Sequence, residues 1–141
     1  MNYARLALAA IVATVVDALY GFLVYGTLLT SEFARFPGVY RSAETQGPYM
    51  LYLFAGVLLA MFAAAYIYAK GYEGGSGAAE GARFGVAIGL FAVGYAVLVS
   101  YATTNIGGRI TLALACAAVV EWTIDGIVIG LLYSKGAPAR K

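Results

Sequence analysis

MNYARLALAAIVATVVDALYGFLVYGTLL, residues 1–29, carries one basic side chain, Arg5, and one acid, Asp17, in a run that is otherwise almost wholly apolar. A helix needs about 20 such residues to cross a hydrocarbon layer of ~30 Å, and backbone inside that layer must satisfy its own hydrogen bonds. The stretch therefore predicts a transmembrane helix over residues 5–29. It begins as a secretory leader does, with a charge ahead of an apolar core. A leader core ends after about 7–15 residues at a small-residue cleavage site; this one continues to Leu29, which predicts an uncleaved anchor.

Three further runs have the same character, over residues 48–70, 82–104 and 110–133. None alternates with the period of two expected of barrel strands, and each exceeds the ~10 residues such a strand needs. With 62% hydrophobic and 11% charged residues in 141, there is too little polar surface for a water-soluble globule. The expectation is one domain over residues 1–141, an all-α polytopic membrane protein built as a bundle of four transmembrane helices. Its obligatory partner is the lipid bilayer; no nucleic acid and no cofactor is expected. The chain has no histidine, which removes the usual haem ligand, the commonest zinc ligand and the commonest general base. The single cysteine, Cys116, excludes an internal disulfide and reads as a small packing residue.

The connections are marked by turn residues. TSEFARFPGVYRSAETQG, residues 30–47, is the longest loop, and its aromatic side chains could rest on the membrane interface; Pro48 suits a first helical position. GYEGGSGAAEG, residues 71–81, reads as a flexible polar turn, and NIGG, residues 105–108, predicts a tight hairpin with Asn105 capping a helix end. Arg5, Lys70, Arg83, Lys135, Arg140 and Lys141 fall on one side of the bundle and Arg35, Arg41 and Arg109 on the other, so the excess of basic residues puts both termini in the cytoplasm. Small residues recur every four positions: Gly81, Gly85 and Gly89 on the third helix, Gly56, Ala60 and Ala64 on the second, Gly126 and Gly130 on the fourth. Such stripes let helix backbones approach closely. They predict packing within the monomer or, on the sharper view, the seam of a homo-oligomer or larger membrane complex.

Three acids, Asp17, Glu121 and Asp125, lie deep in these runs with no basic residue at equal depth. Counting from the helix ends puts Asp17 level with Glu121 near the midplane and Asp125 one turn nearer the cytoplasm, on the same face as Glu121. Each acid costs about 2.5–3.5 kcal/mol to insert, which predicts that they share one inward-facing environment. A neutral carboxyl is favoured where water is scarce and no cation is at hand. Its exchange of a proton for an arriving cation is the elementary step of proton-coupled transport. Tyr20, Tyr95 and Trp122 are near enough in sequence depth to add aromatic faces for an organic cation. The plain alternative makes the acids interhelical glue, hydrogen-bonded to Thr14, Thr123 or tyrosine hydroxyls, at ~0.6 kcal/mol per contact. Tyr3, Tyr25, Tyr49, Tyr52, Tyr72 and Tyr133 read as belt residues at the membrane surfaces. AAIVATVVDALYG (9–21) and AAVVEWTIDGIVIG (117–130) align Asp17 on Asp125, although echoes of this kind arise readily in Ala- and Val-rich helices.

YATTN (101–105), GFLVYGTLL (21–29) and GIVIGLLYSK (126–135) give the chain a resemblance to small four-span bacterial integral membrane proteins of unknown function. The resemblance implies a four-helix membrane fold in the bacterial inner membrane and assigns no functional residue. Thr103, Thr104 and Asn105 within it read as a helix-end capping group. The expected function is binding or translocation of a cation or small cationic solute by exchange with protons at the acidic cluster; the alternative is a non-catalytic accessory subunit of a larger membrane assembly. No nucleophile with a base, phosphate loop or third metal ligand stands beside the acids, so no enzyme and no metal site is expected.

Overall fold

The computed structural model describes residues 1–135. Four helices are each long and apolar enough to cross a membrane: α1 (Tyr3–Leu28), α2 (Ala43–Gly71), α3 (Gly77–Thr103) and α4 (Gly108–Ser134). With no strand among the described residues, the protein is an all-α membrane bundle. Arg140 and Lys141, part of the charge count, lie outside the described residues. Two of the helices, α2 and α3, begin about five residues before their apolar spans. Thus α2 begins at Ala43 and passes through a tight turn at Gly47–Tyr49 containing Pro48.

The four helices make a chain of contacts in which α1 packs against α2 and α4, and α4 packs most extensively against α3. The core lies at the end that carries the termini. Leu6, Ala9, Ala10 and Ala13 of α1 face Met61, Ala64, Ala65 and Tyr68 of α2, with Ile129 and Tyr133 of α4 completing the cluster. On α1 and α2 alike these positions recur at three and four residues, so small side chains form one stripe and the backbones close on each other. Towards the other end α2 is uncovered, with residues 51–56 all exposed, while Ile106, Ile110 and Thr111 stay buried. Gly56 belongs to this uncovered half. It was expected on a contact seam, but it is exposed, and nothing lies within 4 Å of where a β-carbon would stand. A four-residue repeat permits close approach without supplying the neighbour.

The contact between α3 and α4 is where glycine is indispensable. A β-carbon on Gly81 would run into the Gly126 carbonyl, one on Gly85 into the Trp122 carbonyl, and one on Gly130 into the Gly77 carbonyl. A β-carbon on Gly89 would stand 2.9 Å from Val119 Cα. Backbone meets backbone along four turns, so no side-chain rotation can relieve an added methyl.

The connections are more ordered than their composition suggests. Glu80 accepts hydrogen bonds from the backbone N–H groups of Gly75 (2.6 Å) and Glu73 (3.2 Å), tying the α2–α3 turn to the first turn of α3. In the long loop, Phe33 and Tyr40 meet edge to face at 4.7 Å and Phe36 lies against Gly107. Burial there raises the Tyr40 phenol above its ordinary value. Glu32 pairs with Arg109 (3.1 Å) and Arg35 (3.4 Å). Asn105 caps nothing: it is exposed, and α4 is preceded by Gly107 with no side-chain cap. Thr103 and Thr104 instead donate to the carbonyls of Val99 and Ser100 four residues back. Cys116 is exposed rather than packed, in an apolar groove shared with Leu90 and Val93.

Candidate functional site

Asp17 continues the buried stripe of α1, one turn beyond Ala13, and so faces α4. Across from it stands Asp125, with only 1% of its surface exposed. The two carboxyls are within hydrogen-bonding reach of each other. Such a contact is a hydrogen bond only when one carboxyl carries a proton, because two carboxylates have no donor between them. Without that proton Asp125 Oδ2 is buried with no hydrogen-bond partner among the described residues. The pair thus differs from the expected register, in which Asp17 stood level with Glu121. The shift is about one helical turn, within what longer helices and their tilt allow.

Glu121 lies one turn further from the terminal end and has its own partner, the Tyr25 hydroxyl, which donates to Glu121 Oε2 at 2.7 Å. Tyr25, expected among the belt residues at the membrane surface, instead reaches a carboxyl inside the bundle. The last turns of α1 are not α-helical. Val24–Leu28, which includes Tyr25, forms a π-turn. Tyr20 stands beside it: its hydroxyl donates to the Ala117 carbonyl of α4 (2.9 Å), and its ring meets Tyr25 edge to face at 6.2 Å. A second π-turn, Val93–Leu98, lies in the loop-side half of α3.

The other expected members do not join. Tyr95 is 73% exposed and stacks on Phe91 on the outer face of α3. Trp122, half-buried, packs on the apolar core. The aromatic groups beside the acids are Tyr20 and Tyr25. Thr14 and Thr123 donate to Ala10 and Val119 carbonyls of their own helices, so their hydroxyl protons are not offered to the acids. Both ion pairs among the described residues lie at the loop end. The Arg5 guanidinium donates to the Leu132 carbonyl (3.3 Å), and twelve helical residues, roughly 18 Å, separate it from Asp17 along α1. Among the described residues no three of His, Cys, Asp and Glu gather closely enough to ligate a metal ion. The site is a carboxyl pair with a third carboxyl, partnered by Tyr25, one turn away.

Tyr25→Phe isolates one part of this geometry. A short bond from a phenol to a carboxyl in a dry environment contributes about 1–2 kcal/mol, so the variant is expected to melt measurably lower in detergent while the helix content by circular dichroism is unchanged. An unaltered melting temperature would show that the bond does not hold α1 to α4.

No family model, curated protein or solved structure matches the chain.

Proposed function

We propose that this protein binds, and by extension translocates, a cation or small cationic solute in exchange for protons at Asp17, Asp125 and Glu121. The observation that carries the reading is the buried Asp17–Asp125 pair, in which Asp125 Oδ2 lacks a partner unless a proton or cation is shared between the two carboxyls. Ordinary packing does not account for it. Two aliphatic side chains would fill the same interface without the insertion cost of about 2.5–3.5 kcal/mol per acid. A cation entering the pair supplies the positive charge that the surrounding helices lack, and the displaced proton leaves by the same interface. Glu121, held by Tyr25, lies one turn nearer the loop end than the pair. The same reading places the termini in the cytoplasm of a bacterial cell and the bundle in its inner membrane, following the distribution of Lys and Arg. The accessory-subunit alternative drew on the aromatic outer loop, but Phe33 and Tyr40 are spent on each other and Phe36 on Gly107.

The test is flux in proteoliposomes loaded with a pH-sensitive dye and challenged with sodium, potassium or ethylammonium gradients. At least one gradient is expected to drive counter-movement of protons that protein-free vesicles do not show. Equal dye traces with and without protein for all three would remove the support for exchange.

A further inference from the structure

Where α2 meets α3 at the terminal end there is a cleft of about 320 Å3, at the lower end of the ~300–1,000 Å3 typical of small-molecule sites. Its walls mix three chemistries. Ile67 and Phe84 are apolar, Glu73 and Glu80 are acidic, and Arg83 is basic. The cleft is completed by Gly71 and by Tyr68, only 4% exposed, whose hydroxyl is buried with no hydrogen-bond partner among the described residues. That hydroxyl lies within electrostatic reach of both Glu80 and Arg83. Its ring is fixed on three sides, by Phe84 (5.5 Å), Tyr72 (5.8 Å) and Tyr133 (6.1 Å). Tyr72 and Tyr133 were read as belt residues, yet with Tyr68 they make a packed cluster behind the cleft. A buried, unpartnered hydroxyl held this rigidly is costly unless something accepts its proton. Glu80 is held equally firmly, by the two backbone N–H groups of the turn.

The geometry points to this cleft as a binding site for a membrane lipid with a phosphoethanolamine headgroup. A phosphate oxygen accepts from the Tyr68 hydroxyl and pairs with the Arg83 guanidinium, which suits phosphate by its fork of donors. The primary ammonium, two carbons away, donates to the carboxylates of Glu80 and Glu73. The glycerol and the first methylenes lie on Ile67 and Phe84. The depth agrees, since Lys70, on the neighbouring turn of α2, lies over the Tyr66 ring (5.5 Å) as interfacial lysines do. The site involves none of the three midplane acids and stands or falls independently of the proton-exchange proposal.

The purified full-length protein in detergent is presented with equimolar phosphatidylethanolamine, phosphatidylcholine and phosphatidylglycerol of matched chains, and retained lipid is read by native mass spectrometry. Retention of phosphatidylethanolamine is expected to exceed the other two by about tenfold, the factor that one charge-assisted hydrogen bond supplies. Tyr68→Phe, which removes only the hydroxyl, and Arg83→Gln, at an exposed position that folding does not require, are each expected to abolish most of that preference. Soluble phosphoethanolamine, lacking the acyl chains, is expected not to displace the bound lipid. Equal retention of the three lipids, or an undiminished preference in Arg83→Gln, would overturn the site. Displacement by soluble phosphoethanolamine would overturn its assignment to a lipid.

Discussion

Gly85→Leu is expected to separate α3 from α4. A β-carbon at this position already collides with the Trp122 carbonyl and stands 2.8 Å from Thr123 Cα, so the four carbons of leucine cannot be accommodated by a rotamer change. The penalty is at least the ~3 kcal/mol at the upper end of overpacking, and because the colliding atoms are backbone it is expected to appear as lost assembly rather than a softened core. Loss of the monodisperse species in size-exclusion chromatography, with most of the helicity retained, is the expected signature. Gly56→Leu is the internal control: the same change on an exposed glycine with empty space around it is expected to leave the elution profile and melting temperature unchanged. A Gly85→Leu variant eluting as the wild type would contradict the seam.

The contrast between these glycines shows how far the sequence could be read. Hydropathy alone located all four spans to within a few residues at the apolar boundaries, because the hydrocarbon layer sets one length for every helix. The four-residue glycine repeat on the third helix was equally visible. Spacing cannot say whether a partner stands opposite, and Gly56 faces empty space. The stripe Leu6, Ala9, Ala10, Ala13 carried the same signal on the first helix and continues to Asp17; its period would have pointed Asp17 into the α1–α4 interface. The Tyr25–Glu121 bond was hidden for a different reason. Tyr25 sits within the π-turn at Val24–Leu28, and nothing in VYGTL departs enough from helical composition to announce such a turn. Tyr95 failed in the opposite direction, since depth along a helix fixes height and leaves the direction around the axis open.

Asp17→Asn and Asp125→Asn are each expected to preserve the fold and remove cation exchange. An asparagine amide can donate to the facing carboxylate, so either variant imitates the pair with its proton in place and holds that state permanently. Losing one carboxylate of a desolvated cation site is expected to weaken binding of the effective cation by at least about a hundredfold. Glu121→Gln leaves the pair intact and is expected to reduce flux while the melting temperature stays near that of the wild type. The pH dependence has a definite sign. Carboxyls that must ionise to bind a cation give an affinity that is fully present at high pH and falls as pH falls, by up to about tenfold per pH unit for each proton released. In the single Asn variants that slope is expected to flatten along with the binding.

Proton release on ligand addition tests the central claim most directly. The wild-type protein in weakly buffered detergent solution, titrated with sodium, potassium or ethylammonium, is expected to acidify the medium in proportion to the cation bound. The Asp17→Asn, Glu121→Gln, Asp125→Asn triple variant, folded by circular dichroism, is expected to release nothing. A folded triple variant that binds the same cation with the same proton release would contradict the account and reduce the three carboxyls to buried contacts between α1 and α4.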